Sequence, residues 1–168
     1  RGGGAVGTTR LFVGGGGTLS GVDRGDTRLP LEVLIEEHGA GYKPAIAAGV
    51  QTVMASFNSW NGEKVHGNKK LLTDVLRGDL GFDGFVVSDW NGIGEVEGCA
   101  DDDCPQAINA GIDMVMVPED WLSTLENLVA QVQSGAISEA RIDEAVLRIL
   151  KIKFESGLMQ RGLPSKQG

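Results

Sequence analysis

The sequence predicts an α/β fold built on a parallel sheet, and three observations carry that expectation. Four short β-type runs alternate with segments of helical character, the arrangement of consecutive βα units. The run Gly84-Phe85-Val86-Val87 is apolar without polar alternation, as expected of a strand covered on both faces. Between the runs, apolar residues recur with the 3.6-residue period of amphipathic helices.

In chain order, the first run is Leu11-Phe12-Val13, followed by the glycines Gly14 to Gly17. A helical stripe of Leu31, Leu34, Ile35, His38 and Tyr42 leads to the second run, Thr52 to Phe57. Leu71, Leu72, Val75 and Leu76 form the next stripe, ahead of the third run, Gly84 to Ser88. The fourth run is Asp113 to Val117, and Leu122, Leu125, Leu128, Val129 and Val132 form the helix after it. A final helix enters at Ser138, a suitable N-cap, carries Ile142, Val146, Ile149 and Lys153 in register, and stops at Gly157. Four βα units plus a last helix amount to half of a (β/α)8 barrel, which needs about 250 residues. A complete small doubly wound sheet of flavodoxin type also suits the 168 residues, but leaves the glycine-rich start unexplained. Of 26 glycines, ten lie in the first 25 residues.

Composition narrows the function. With 41% hydrophobic residues the chain can build a core, which argues against a wholly disordered chain. The net charge of −8, with no basic run longer than Lys69-Lys70, argues against a nucleic-acid partner. Every apolar run falls far short of the ~20 residues of a membrane span, so no membrane partner is expected. The chain opens at Arg1 without an initiator Met or a leader pattern, as expected of a processed or cut chain. Cys99 and Cys104 flank a short acidic loop; they can close it in an oxidising compartment or stand as free thiols, and spacing alone leaves both open. His38 and His66 belong to no ligand cluster, so neither a metal nor another cofactor is expected. Gly14 to Gly17 lack the Gly-Lys-Ser/Thr ending of a phosphate loop.

In either architecture the active site lies at the C-terminal ends of the strands. The residues to read are therefore Gly14 to Thr18, Asn58 to Gly62, Asp89 to Gly92 and Pro118 to Trp121. Ser88-Asp89-Trp90 sets a carboxylate beside an indole at a strand end. Such a pair suits a sugar site, the acid for chemistry and the aromatic face for stacking on a pyranose. Asp89 also suits a loop or helix cap, and Trp60 and Trp121 suit core cover. Asp101 to Asp103 lack the interleaved spacing of a calcium loop.

The segments Val53 to Gly62, Val65 to Asn68, Leu71 to Leu76, Gly81 to Trp90 and Ala110 to Pro118 resemble glycoside hydrolase family 3, of the bacterial β-glucosidase and exo-β-glucanase type. The resemblance continues through Ile137-Ser138, Arg141 to Val146 and Gly157-Leu158, covering most of the chain from about Gly21 onward. It implies the C-terminal half of a TIM-like catalytic barrel. On that basis residues 1–25 are a glycine-rich first strand and loop, 26–157 the half-barrel, and 158–168 a tail toward a further domain. It also implies retaining hydrolysis of a β-glucoside or β-glucan end, with Asp89 as nucleophile and Trp90, Arg10, Phe57 and His66 as substrate-binding residues. The family's acid usually comes from a domain after the barrel, and none of Glu95, Glu97 and Glu119 matches it. Two departures stand out. The family's Lys-His-Phe and Gly-Asp-Gly-Gly pattern reads Arg10-Leu11-Phe12 and Gly14 to Gly17 here, and Phe57 stands where a tyrosine is frequent. The expected partners are the missing barrel half and C-terminal domain, or another chain covering the half-barrel, with a periplasmic or secreted location. The rival expectation is a non-catalytic fragment or carbohydrate-binding remnant lacking the general acid.

Overall fold

A computed structural model describes residues 6–160. The predicted parallel sheet is present, with strands β1 (Thr8–Phe12), β3 (Thr52–Ala55) and β6 (Phe85–Val87) in the order β1-β3-β6. A fourth run joins the β6 edge through one parallel bridge, Val87 to Met114, with Ser88 N–H donating to Met114 C=O at 2.9 Å. The expected strand Asp113 to Val117 is thus reduced to a bridge. Strand order follows chain order, unlike a doubly wound sheet, where the order reverses beside the first strand. The peptide bonds Arg10–Leu11 and Phe12–Val13 are cis.

A second small sheet was not legible in the sequence. Its strands β2 (Asp26–Thr27) and β4 (Ser59–Trp60) are parallel, and β5 (Glu63–Lys64) pairs antiparallel with β4. It pins the glycine-rich loop: Thr27 Oγ1 donates to Gly14 C=O at 2.8 Å, and Asn58 Nδ2 donates to Thr27 Oγ1 at 3.3 Å. Gly14 has φ +96°, a left-handed conformation that glycine adopts without strain.

The first helical stripe is split. Helix α1 (Leu31–Val33) continues as a π-helical segment Leu34–His38, and α2 (Tyr42–Ala47) begins after a break. The second stripe lies on a π-helical segment, Lys70–Asp79, with Leu71, Leu72, Val75 and Leu76 all buried. Asn68 Oδ1 caps it by accepting Leu71 N–H at 2.8 Å. Helix α3 (Pro105–Ala110) is followed by α4 (Trp121–Gln133) and α5 (Glu139–Glu155). Ser138 caps α5 through its side chain, and Gly157 at φ +75° follows the end of α5, both as the sequence predicts, with a short 3-10 turn at Leu158–Gln160 beyond it.

The core gathers Phe12, Val53, Ala55 and Val86 from the sheet with Leu34, Leu71, Leu72 and Leu76 from the helices. Phe12 meets Tyr42 edge to face, ring centroids 4.9 Å apart. The α4 stripe departs from expectation, because Leu122, Leu125 and Val129 are exposed. Leu125 and Val129 line one wall of an apolar groove of about 710 Å³ between α4 and α5, with Val115 and Val117 at its floor and Val146 and Ile149 opposite.

At the opposite end of the sheet from Ser88, the Asp113 side chain is wholly buried among three guanidiniums. Arg77 reaches Oδ2 at 2.5 Å, while Arg141 and Arg148 reach Oδ1 at 2.9 and 3.2 Å. Val86 N–H also donates to Oδ2 at 2.9 Å, so this cluster ties α5 and the Lys70–Asp79 helix to the start of β6. Cys99 and Cys104 form a disulfide, with Cα atoms 4.8 Å apart, closing the loop that carries Asp101 to Asp103.

Candidate active site

The site forms where β1, β3 and β6 end. Arg10 is the middle residue of β1, Phe57 lies two residues after β3 and Asp89 two residues after β6. Parallel strands bring their C-terminal ends to one edge, so three distant stretches of chain meet there. Ser88 fixes the last turn of β6: it is fully buried, and its Oγ accepts Met116 N–H at 2.7 Å.

Asp89 is 9% exposed. Its Oδ1 accepts the N–H of Trp90 at 2.7 Å, and its C=O accepts Gly92 N–H at 2.9 Å, so it caps its own turn. The capping role therefore leaves Oδ2 unspent. That oxygen faces Arg10, whose Nη2 is 4.0 Å away. The Trp90 indole is 54% exposed beside it, an open aromatic face.

The four residues expected to bind substrate divide. Arg10 and Trp90 are exposed next to Asp89, and Phe57 is half-buried. His66 is 0% exposed and presents no face to a ligand. Its Nε2 instead accepts the backbone N–H of Asp89 at 3.0 Å. Burial holds the ring at about 4, well below the usual histidine range, although Asp89 and Glu95 pull upward. Phe57 packs on this ring, centroids 5.8 Å apart.

A cavity of about 470 Å³ adjoins Trp90, walled by Arg24, Phe57, Asn91, Glu95 and Asp101. Arg24 lies over the Phe57 ring at 4.1 Å and pairs with Glu95 at 2.8 Å. Lys64 Nζ reaches the other Glu95 oxygen at 2.8 Å and donates to Phe57 C=O at 3.1 Å. The Lys64 hydrogen bond, then that of Arg24, holds the Glu95 carboxyl below the usual range. A carboxyl so held is ionised near neutrality and is unsuited to deliver a proton as a general acid. Sequence reasoning passed over Arg24 and Lys64. Arg24 lies just before β2 and Lys64 within β5, two-residue strands that carry no period in the sequence.

Among the described residues, no group of three or more His, Cys, Asp or Glu is placed to hold a metal ion. No helix among them is long and apolar enough to cross a membrane.

The class that the fold defines is an α/β domain, with a buried carboxylate and an exposed indole just past the end of a strand of its parallel sheet. The family profile described as Glycosyl hydrolase family 3 N terminal domain matches residues 1–152, and the chain belongs to that family of glycoside hydrolases. The lysosomal beta glucosidase of Dictyostelium discoideum is 37% identical over 168 residues, 96% of this chain and 20% of the relative. The periplasmic beta-glucosidase of Salmonella typhimurium is 34% identical over 156 residues, 90% of this chain and 20% of the relative. Among solved structures, the exo-1,3/1,4-beta-glucanase ExoP of a Pseudoalteromonas species superposes with a TM-score of 0.94 at 55% identity, covering 96% of this chain and 20% of that one. The beta-glucosidase of Listeria innocua in complex with glucose gives a TM-score of 0.82 at 29% identity, over 91% of this chain and 22% of that one. The chain thus spans about a fifth of the length of these curated relatives.

Proposed function

We propose that this chain is the C-terminal half of the catalytic barrel of a periplasmic or secreted family 3 β-glucosidase or exo-β-glucanase, with Asp89 as its nucleophile. The observation that carries the reading is the Asp89 carboxylate itself. It is buried at a strand end with Oδ1 engaged by its own turn and Oδ2 directed at Arg10, beside the exposed Trp90 indole. Solved relatives described as beta-glucosidase with glucose and as a variant with laminaribiose support a β-glucoside or β-glucan end as substrate.

In the first half-reaction a carboxylate oxygen of Asp89 bonds to the anomeric carbon while the bond to the leaving oxygen breaks. That oxygen takes a proton from a carboxylic acid outside this chain, expected about 5–5.5 Å from Asp89 in a retaining enzyme. Water then attacks the same carbon, its proton passing to the acid's conjugate base, and Asp89 is released as carboxylate. Arg10 sets a positive charge facing the Asp89 carboxylate at both ends of the cycle. Trp90 stacks on the apolar face of a sugar ring, and Phe57 forms the wall of the cavity beyond.

Hydrolysis of an aryl β-glucoside by the enzyme containing this chain tests the reading. Turnover lost on Asp89→Asn supports it, and turnover retained would sink the nucleophile assignment. A folded protein of full mass with no hydrolysis, but with sugar binding, favours the carbohydrate-binding remnant.

A further inference from the structure

We infer that His66 is a positioning residue for the nucleophile: its imidazole accepts the backbone N–H of Asp89 through Nε2 and so fixes where the carboxylate stands. The inference rests on the reading of Asp89 as nucleophile.

The contact is short, at 3.0 Å, and His66 is wholly buried, so the ring acts on the strand end and not on a sugar. Acceptance at Nε2 requires the tautomer with its proton on Nδ1. Nδ1 is buried and has no hydrogen-bond partner among the described residues. Space around the ring is shaped for it. A Cβ at Gly92 would come 2.4 Å from Nε2, so only glycine lets the turn after Asp89 fold over the imidazole. Phe57 covers another face at 52°.

From this anchor the order of the site follows. With its N–H held by His66, Asp89 directs Oδ1 to Trp90 N–H and leaves Oδ2 toward Arg10. The charged groups that face the ring are Asp89, Glu95 and Lys64; burial outweighs the pull of the two carboxylates, so the ring is a neutral acceptor at neutral pH. A protonated ring would set donor against donor at Asp89 N–H. Removing the acceptor leaves a buried N–H unpaired at the nucleophile itself.

Two substitutions and one spectrum test this. His66→Phe keeps the ring volume without an acceptor, and His66→Gln brings an amide oxygen close to the Nε2 position. In the enzyme containing this chain, His66→Phe should lower kcat about 10- to 100-fold with KM within about twofold. His66→Gln should regain most of that loss. Nitrogen-15 NMR should show Nδ1 protonated and Nε2 bare at neutral pH. Wild-type kcat in His66→Phe, or a His66→Gln variant no better than His66→Phe, overturns the role. If neither variant folds the spectrum decides, and a proton on Nε2 overturns it. Turnover retained by Asp89→Asn with Nε2 still bare removes the nucleophile reading, and the positioning role with it, while leaving the hydrogen bond intact.

Discussion

Arg10 Nη2, from the middle of β1, stands 4.0 Å from Asp89 Oδ2, just past the end of β6, although β3 lies between the two strands. The Arg10 side chain is 62% exposed, so solvent screens the pair and its contribution to folding is below about 1 kcal/mol. Its importance should show in the reaction, where the same charge faces the oxygen of the proposed nucleophile. Arg10→Ala is expected to leave the thermal midpoint nearly unchanged while kcat/KM falls about tenfold. Arg10→Lys, which keeps the charge but loses the planar fork, should recover part of the loss. Steady-state kinetics beside thermal unfolding checks both, and an unchanged kcat/KM in Arg10→Ala removes the role.

Asp113 presents the opposite balance, an ion cluster with no solvent around its carboxylate. Burial draws the Arg77 guanidinium below its usual range, and the neighbouring Arg148 and Arg141 add to this while Asp113 opposes it. Asp113→Ala would leave three guanidiniums facing one another and the Val86 N–H without its acceptor. A destabilisation of about 3–5 kcal/mol is expected. Arg148→Met should cost less, because Asp113 keeps two partners. Urea unfolding of both variants measures this, and a cost for Asp113→Ala below that of Arg148→Met contradicts it.

What the sequence made legible divides along the range of the interaction. Ser138 and Gly157 were readable because a cap depends on residues a few positions away. The stripe Leu71, Leu72, Val75 and Leu76 was readable because one helix face repeats locally. The Asp113 cluster was not, since its three arginines lie 36, 28 and 35 positions away in the chain. Two-residue strands such as β2 and β4 carry no period to detect. Asp89 and Trp90 stood out because their chemistry is local to one tripeptide. The place of His66 depends on a ring and a backbone N–H that are 23 positions apart.

Acid should loosen the fold through His66. Burial lowers this ring from 6.5 to about 4, so between those values the unfolded chain binds more protons than the folded one. The stability contributed by the neutral ring is complete above about 6.5 and is lost as pH falls through about 4, a contribution on the order of 3 kcal/mol. Urea unfolding at intervals from pH 7 to pH 4 (about the span of the shift) should show wild-type stability declining more steeply than that of His66→Gln. Parallel slopes in the two proteins contradict the assignment.

The groove between α4 and α5 bears on the proposed half-barrel. Leu125, Val129 and Val146 line it and are exposed, and Leu122, Leu147 and Leu150 are exposed elsewhere on the same two helices; exposed apolar surface on this scale marks an interaction surface. The fourth run meets the sheet through a single bridge, at Met114, and an open sheet edge beside an apolar groove invites pairing. In the proposed enzyme the rest of the barrel covers both. The chain expressed alone should therefore associate with rising concentration and bind an apolar dye such as ANS, and the dye signal should fall when the remaining polypeptide is present. Leu125→Asp and Val129→Asp should change the stability of the chain alone by less than about 0.5 kcal/mol each, while weakening its assembly with the rest. Sedimentation at increasing concentration, with dye binding alongside, measures the outcome. A monodisperse monomer that binds no dye would mean that this face needs no cover, and would count against the half-barrel.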